Sequence, residues 1–124
     1  MKTRIYYHHT DCGGVVYYAN YLKFLEEART EYFDLKNTSI KQLADSGTMF
    51  VVARQEVDYK FPAFYGDELE VFTQGVVGGA RIEFLHEINN QNKQLIVKAK
   101  TVLVCVDKNL KPKAIPEDLR KKLA

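Results

Sequence analysis

One long amphipathic segment, followed by strand-like sequence almost to the end of the chain, limits the fold more than any other feature. Between residues 21 and 35 the apolar residues recur at the i, i+3, i+4, i+7 spacing of a helix with one buried stripe. The stripe consists of Tyr21, Phe24, Leu25, Ala28, Tyr32 and Leu35, and the residues outside it include Lys23, Glu27, Arg29 and Glu31. A helix of about 17 residues extends roughly 26 Å, so its apolar face needs a large partner surface.

The rest of the chain is patterned mainly as β-strands. Residues 50–61 alternate from Ala53 onward, and Gln55 is the exception on the apolar side. Gly78 and Gly79 separate two further strands at the spacing of a two-residue hairpin. Strands are therefore predicted at residues 3–8, 50–61, 68–77, 80–88 and 94–106, with short helices at 39–47 and 115–123.

This order of elements predicts a single α+β domain over residues 1–124, because the chain is too short for a second core. An antiparallel sheet of about five strands can wrap around the one long central helix and bury its stripe. The opposite sheet face carries apolar residues such as Val102, Val104 and Val106. Too little chain remains to cover that face, so we expect a second copy of the protein there.

Composition excludes several classes of function. The formal net charge of +2 is too small to indicate nucleic-acid binding. No apolar run approaches the roughly 20 residues that cross a bilayer, and no apolar segment of a signal peptide follows the first charges. The two cysteines then fit reduced thiols. These features predict a cytoplasmic protein without membrane insertion.

The stretch HHTDCGGVVYYANY, residues 8–21, concentrates chemically active residues just before the helix. A metal site is disfavoured because adjacent His8 and His9 at a strand end would point to opposite faces. His86 alternates with apolar residues and is expected in the core or an interface. Cys12 has no motif that supplies a base, although a helix start could lower its pKa. The glycines lack the pattern of a phosphate-binding loop.

A carboxylate facing the helix start fits this stretch best. Gly13 and Gly14 allow a tight turn, and the helix is expected to begin near Tyr18 and Ala19. The first amide N–H groups of a helix have no intrahelical acceptor and can stabilise an oxyanion. Asp11 could activate water or attack an acyl carbon in front of them. The alternative, that Asp11 only caps a turn, stays open on pattern alone.

The run YYHHTDCGGVVYYANYLKFLEEARTEYF, residues 6–33, resembles the signature of hotdog-fold acyl-CoA thioesterases of the YbgC and 4-hydroxybenzoyl-CoA thioesterase group. FVVARQEVDYKFPAFYGDELEVFTQ and VLVCVDKNLKPKAIPEDL extend the resemblance over nearly the whole chain. The resemblance implies hydrolysis of the thioester of an acyl-CoA or an acyl carrier protein, without a metal or other cofactor. It implies Asp11 as nucleophile or general base, the backbone N–H of Tyr18 as oxyanion donor, and Gly14 as turn former. It also implies dimers or tetramers with active sites between protomers.

One departure leaves rival functions open. Many YbgC-type members carry His where this chain has Tyr18, and the 4-hydroxybenzoyl-CoA type carries Tyr. A non-catalytic acyl-CoA or acyl-carrier-protein binding module of the same fold is the main alternative. A dehydratase of this fold would normally carry a catalytic histidine on the helix, which has none here.

The remaining candidate site residues are expected to bind substrate. Asn20 and Tyr7 are close enough in sequence to line the pocket, although Tyr7 fits a core position equally well. The phosphates of coenzyme A need basic partners. The candidates, chosen by charge alone, are Arg81, Lys111 and Lys113.

Overall fold

The computed structural model describes all 124 residues, Met1–Ala124, and consists of one antiparallel sheet wrapped around one long helix. Five strands lie in the order β1-β3-β4-β5-β2, which confirms the α+β class and the number of strands. The strands are β1 Lys2–Arg4, β2 Met49–Tyr59, β3 Glu68–Val77, β4 Arg81–Asn89 and β5 Leu95–Val106. The helices are α1 Asn20–Leu35, α2 Ile40–Asp45 and α3 Glu117–Leu123.

Strand β2 forms a long edge of the sheet, because it pairs with β5 and with no other strand. Its register runs antiparallel from Met49 opposite Val106 to Tyr59 opposite Val97. The register shifts between Val52 and Arg54, so Ala53 lies at a β-bulge. The predicted alternation therefore holds only beyond the bulge, where the apolar side faces the helix.

The buried stripe of α1 differs from the predicted stripe at its C-terminal end. Leu35 is 84% exposed, whereas Phe33 is buried. Arg29 is also buried, and its Nη1 donates a hydrogen bond to Thr101 Oγ1 at 3.2 Å. Leu25, Arg29 and Phe33 are spaced four residues apart and form one row on a helix. The buried side of α1 follows this row to Phe33, and Leu35 lies on the opposite, exposed side of the helix.

The predicted first strand is wrong beyond Arg4, because residues Tyr7–His9 form a 3₁₀ turn. The amide N–H of Tyr6 donates to Nδ1 of His9 at 2.9 Å and closes this turn. As a result the rings of His8 and His9 lie 4.0 Å apart, so the expectation that they point to opposite faces was wrong. The chain nevertheless has no cluster of three or more His, Cys, Asp or Glu residues that could hold a metal ion.

The outer face of the sheet keeps exposed apolar residues on β3 and β4, but the valines of β5 are largely covered. Val102 and Val106 are already buried within a single chain, and Val104 is half-buried. In the register Val102 lies between Glu83 of β4 and Arg54 of β2, whose long side chains flank it. These valines therefore do not require a second copy to cover them.

The β3–β4 hairpin is confirmed, with its loop one residue later than predicted. The amide N–H of Gly78 donates to the carbonyl of Arg81 at 2.7 Å, which leaves Gly79 and Ala80 as the loop residues. The short helix ended by Gly47 and the closing helix after Pro116 are also confirmed. No helix of the chain combines the length and the apolar character needed to span a bilayer.

Candidate active site

Residues 9–17 form a small hairpin that precedes α1. The amide N–H of Tyr17 donates to the carbonyl of His9 at 2.9 Å, and that of Asp11 donates to the carbonyl of Val15 at 2.9 Å. Gly14 closes the turn with a bond from its N–H to the Asp11 carbonyl at 3.0 Å. Its φ of 82° lies in the left-handed region that glycine adopts without strain. Asp11 thus lies at the turn of a hydrogen-bonded hairpin.

The hairpin is fixed to the helix start and to the segment after β2. Nδ2 of Asn20, the first residue of α1, donates to the His9 carbonyl at 2.8 Å. On the other arm, the amide N–H of Val16 donates to the carbonyl of Ala63 at 2.9 Å. Asn20 is therefore a structural link between hairpin and helix, and its amide nitrogen already has an acceptor.

The carboxylate of Asp11 is exposed, and only one of its oxygens has a partner in the chain. Oδ1 accepts the amide N–H of Gly13 at 2.8 Å, as in a capped turn. Oδ2 accepts no hydrogen bond and takes part in no ion pair within the chain. A side chain at position 13 would come within 3.2 Å of Oδ1. The turn therefore orients the carboxylate and leaves one oxygen available for chemistry.

The start of α1 presents amide groups without acceptors. Ala19 is the N-cap, and the amide N–H of Asn20 donates to the Tyr17 carbonyl at 2.9 Å. The amide N–H groups of Tyr18 and Ala19 donate to no atom of the chain. The C=O and N–H of a trans peptide point in opposite directions. The bond to the Tyr17 carbonyl therefore directs the Tyr18 N–H away from the helix, where it can bind an anionic oxygen.

A largely apolar cavity of about 310 Å³ opens beside this helix start. It is lined by Val16, Tyr18, Tyr21, Tyr59, Lys60, Phe61 and Pro62. Burial raises the pKa of Tyr21 to about 12 and also raises the pKa of Tyr59, so both hydroxyls stay protonated near neutral pH. Sequence reasoning placed Tyr59 and Phe61 on the apolar side of a strand but did not connect them with the site. The alternation of apolar and polar residues in this strand was the only sequence signal that these side chains face the helix.

Neighbouring nucleophiles and bases are not arranged for catalysis. Cys12 is exposed and forms no hydrogen bond with His8 or His9. Nδ1 of His9 is occupied by the Tyr6 amide, and its ring packs edge-on against Phe24 at 5.2 Å between centroids. Burial, followed by the charges of His8 and Lys23, lowers the pKa of His9. His9 therefore holds the turn as a neutral ring.

The other predicted substrate-binding residues are scattered. Tyr7 is 76% exposed, which excludes the core alternative. Arg81 pairs with Val104 of β5, whereas Tyr59 beside the cavity pairs with Val97 of the same strand. These two positions on β5 are seven residues, or about 23 Å, apart.

The two lysines lie beyond the same end of the sheet. The amide N–H of Lys113 donates to the carbonyl of Cys105, and Nζ of Lys113 donates to Thr48 Oγ1 at 2.7 Å. The carbonyl of Lys111 accepts the amide N–H of Asp107 at 2.9 Å. Within one chain, therefore, the basic candidates do not meet Asp11.

Comparisons with known proteins agree with one another. The family model of the thioesterase-like superfamily matches residues 7–123. The acyl-CoA thioester hydrolase YbgC of Escherichia coli O6:H1 is 38% identical over 118 residues, which cover 94% of this chain and 88% of that protein. The acyl-CoA thioesterase YbgC of Haemophilus influenzae is 39% identical over 123 residues, covering 97% and 90%. The crystal structure of DHNA-CoA thioesterase from Staphylococcus aureus superposes with a TM-score of 0.93 at 26% identity, covering 98% and 85%.

Proposed function

The chain belongs to the thioesterase-like superfamily, and from this premise we propose that Asp11 and the amide N–H of Tyr18 form the catalytic site of an acyl-CoA thioester hydrolase. The hotdog fold and the thioester hydrolase activity are those of its relatives. One observation supports the residue assignment above all. The hairpin docks on the start of α1 and leaves both Oδ2 of Asp11 and the Tyr18 N–H without partners in the chain.

The reaction needs a group that delivers an oxygen nucleophile to the thioester carbonyl carbon. As a general base, Oδ2 of Asp11 takes a proton from water while the water oxygen attacks that carbon. The tetrahedral intermediate then expels the thiolate of coenzyme A, which takes the proton back from Asp11 and leaves a free carboxylic acid. As a nucleophile, Oδ2 attacks directly, expels the thiolate and forms an acyl anhydride that water hydrolyses. Both routes need the same exposed oxygen.

The helix start stabilises the charge that develops on the thioester oxygen. The carbonyl oxygen becomes an oxyanion in the tetrahedral intermediate, and a fixed N–H donor binds it more strongly than the neutral ground state. The Tyr18 N–H is a backbone group that side-chain substitution cannot delete. This makes the exchange of His for Tyr at position 18 compatible with catalysis. The apolar cavity beside Tyr18 and Tyr21 is the natural place for the acyl group.

A dimer through β2 completes the site. The edge strand β2 has 11 residues, whereas β1 at the other edge has three, and a long unpaired edge favours pairing with another strand. Val51 and Val52 on this edge are 38% and 54% exposed. Antiparallel pairing of two β2 strands sets the Met49 end of one against the Tyr59 end of the other. Lys113 contacts Thr48, which directly precedes Met49. In such a dimer the partner subunit's Lys113 therefore lies near this chain's active site, where it can bind a phosphate of coenzyme A.

Thiol release from a panel of acyl-CoAs, from short aliphatic to long-chain and aromatic, tests the assignment. We expect Asp11→Asn to lower kcat at least about a hundredfold because the carboxylate is removed while its shape is kept. Cys12→Ser is the matched control in the same turn and should keep the wild-type rate. The same panel on acyl carrier protein distinguishes the two thioester donors. Full activity of Asp11→Asn, or loss of activity in Cys12→Ser alone, contradicts the proposed mechanism.

A further inference from the structure

The turn that leads into α1 leaves the Tyr18 carbonyl without a backbone donor. If α1 extended back to Tyr18, the Tyr18 carbonyl would accept the amide N–H of Leu22. Here the Leu22 N–H donates to the Ala19 carbonyl at 3.2 Å, and the Asn20 N–H donates to the Tyr17 carbonyl at 2.9 Å. Both bonds span three residues, as in a 3₁₀ turn, and pass over Tyr18. The carbonyl of the peptide between Tyr18 and Ala19 is therefore held by no backbone hydrogen bond.

Tyr59 supplies the missing donor from the sheet. It is the last residue of β2, and its hydroxyl donates to the Tyr18 carbonyl at 3.3 Å. The ring of Tyr59 packs at right angles to the Tyr18 ring, with centroids 6.2 Å apart, and lies 5.7 Å from the ring of Tyr21. Burial raises the pKa of Tyr59, so its hydroxyl remains a donor. This contact connects the end of the edge strand to the helix start.

Holding this carbonyl has a consequence on the other side of the same peptide. The Ala19 N–H belongs to the peptide whose oxygen Tyr59 holds, so it points the opposite way, and it has no acceptor in the chain. It is adjacent to the Tyr18 N–H in the turn that the Asn20-to-Tyr17 bond closes, and the φ of −71° and ψ of −20° of Ala19 fit a type I turn, in which the two central N–H groups lie on the same side. We propose that Tyr59 is a positioning residue that fixes the Ala19 N–H as a second oxyanion donor beside the Tyr18 N–H.

The inference rests on the proposed function, since it concerns the same oxyanion. The oxygen of the tetrahedral intermediate carries more charge than the ground-state carbonyl, so a second donor lowers the barrier more than it tightens substrate binding. Loss of an oxyanion donor costs about 10² to 10³ in kcat, and loosening one of two donors costs less. We expect Tyr59→Phe to lower kcat about tenfold and to leave KM within about twofold.

A double-mutant cycle tests the connection between Tyr59 and Ala19. Ala19 has a φ of −71°, which proline adopts, so Ala19→Pro removes the N–H at a compatible backbone angle. We expect this variant to lose about a hundredfold in kcat, and addition of Tyr59→Phe should then have no further effect. A tenfold loss from Tyr59→Phe in both backgrounds overturns the inference. Tyr32→Phe removes a hydroxyl that makes no hydrogen bond and serves as the control.

Two ligands separate positioning from general disruption of the pocket. A trifluoromethyl ketone analogue of acyl-CoA presents a tetrahedral hydrated carbon, whereas a thioether analogue has no carbonyl oxygen. Tyr59→Phe should weaken the ketone about tenfold and leave the thioether unchanged, and equal weakening of both overturns the inference. Asp11→Asn is measured in parallel. If Asp11→Asn stays active, the proposed function fails, whereas an inactive Asp11→Asn beside a fully active Tyr59→Phe contradicts only the positioning role.

Discussion

His86 makes the free energy of unfolding depend on pH in a direction that the structure defines. It lies on the helix-facing side of β4, where it is 1% exposed, and its Nδ1 is 3.1 Å from Thr73 Oγ1. Its Nε2 is buried without a hydrogen-bond partner. Burial, followed by the charge of Arg29, lowers the pKa of His86 from 6.5 to about 4. Protonation therefore favours the unfolded chain.

The size of the effect follows from the two pKa values. Well above pH 6.5 His86 is neutral in both states, and its full contribution to stability is present. As the pH falls from 6.5 toward 4, His86 becomes protonated in the unfolded chain but stays neutral in the folded chain. Linkage converts this difference into a loss of about 2 kcal/mol between pH 7.5 and 5.0, which approaches about 3 kcal/mol below both pKa values.

Urea unfolding at pH 7.5, 6.0 and 5.0 measures this loss at a fixed protein concentration. Far-UV circular dichroism is the suitable signal because the chain contains no tryptophan. His86→Leu replaces the imidazole by an apolar side chain of similar size and removes the titration, so its stability should fall about 2 kcal/mol less over this range. If His86→Leu kept the wild-type pH dependence, burial of neutral His86 would not be its source.

Two further predictions concern the hairpin and the edge strand. Asn20→Ala removes the 2.8 Å bond to the His9 carbonyl, so we expect a lower kcat and about 1 kcal/mol less stability, measured by initial rates and urea unfolding. An unchanged kcat would mean that this bond does not hold Asp11 in place. Pairing through β2 predicts a sedimenting species of at least twice the 14.3 kDa chain mass, and a monomer at micromolar concentration would contradict it.

Local patterns in the sequence determined the helix, four long strands and the turn that carries Asp11. Periods of 3.6 and 2 residues report which side of an element is apolar, and glycines mark turns, so these features need no knowledge of distant residues. The pattern also placed His86 among apolar neighbours, where the structure buries it. The burial of Arg29 was not predicted, because a charged residue in a helical pattern is assigned to the solvent-facing side. The acceptor for its guanidinium, Thr101, is 72 residues away in sequence.

Which elements meet depends on long-range packing, which local sequence patterns do not report. The strand β2 bypasses β3, its neighbour in sequence, and pairs with β5 at the edge, a choice that depends on the total surface buried and not on local preference. That pairing brings Tyr59 to the carbonyl of Tyr18, 41 residues earlier. It also separates Arg81 and Lys113 from Asp11 within one chain. The sequence therefore determined the reactive turn, whereas the long-range packing of the sheet determined the groups around it.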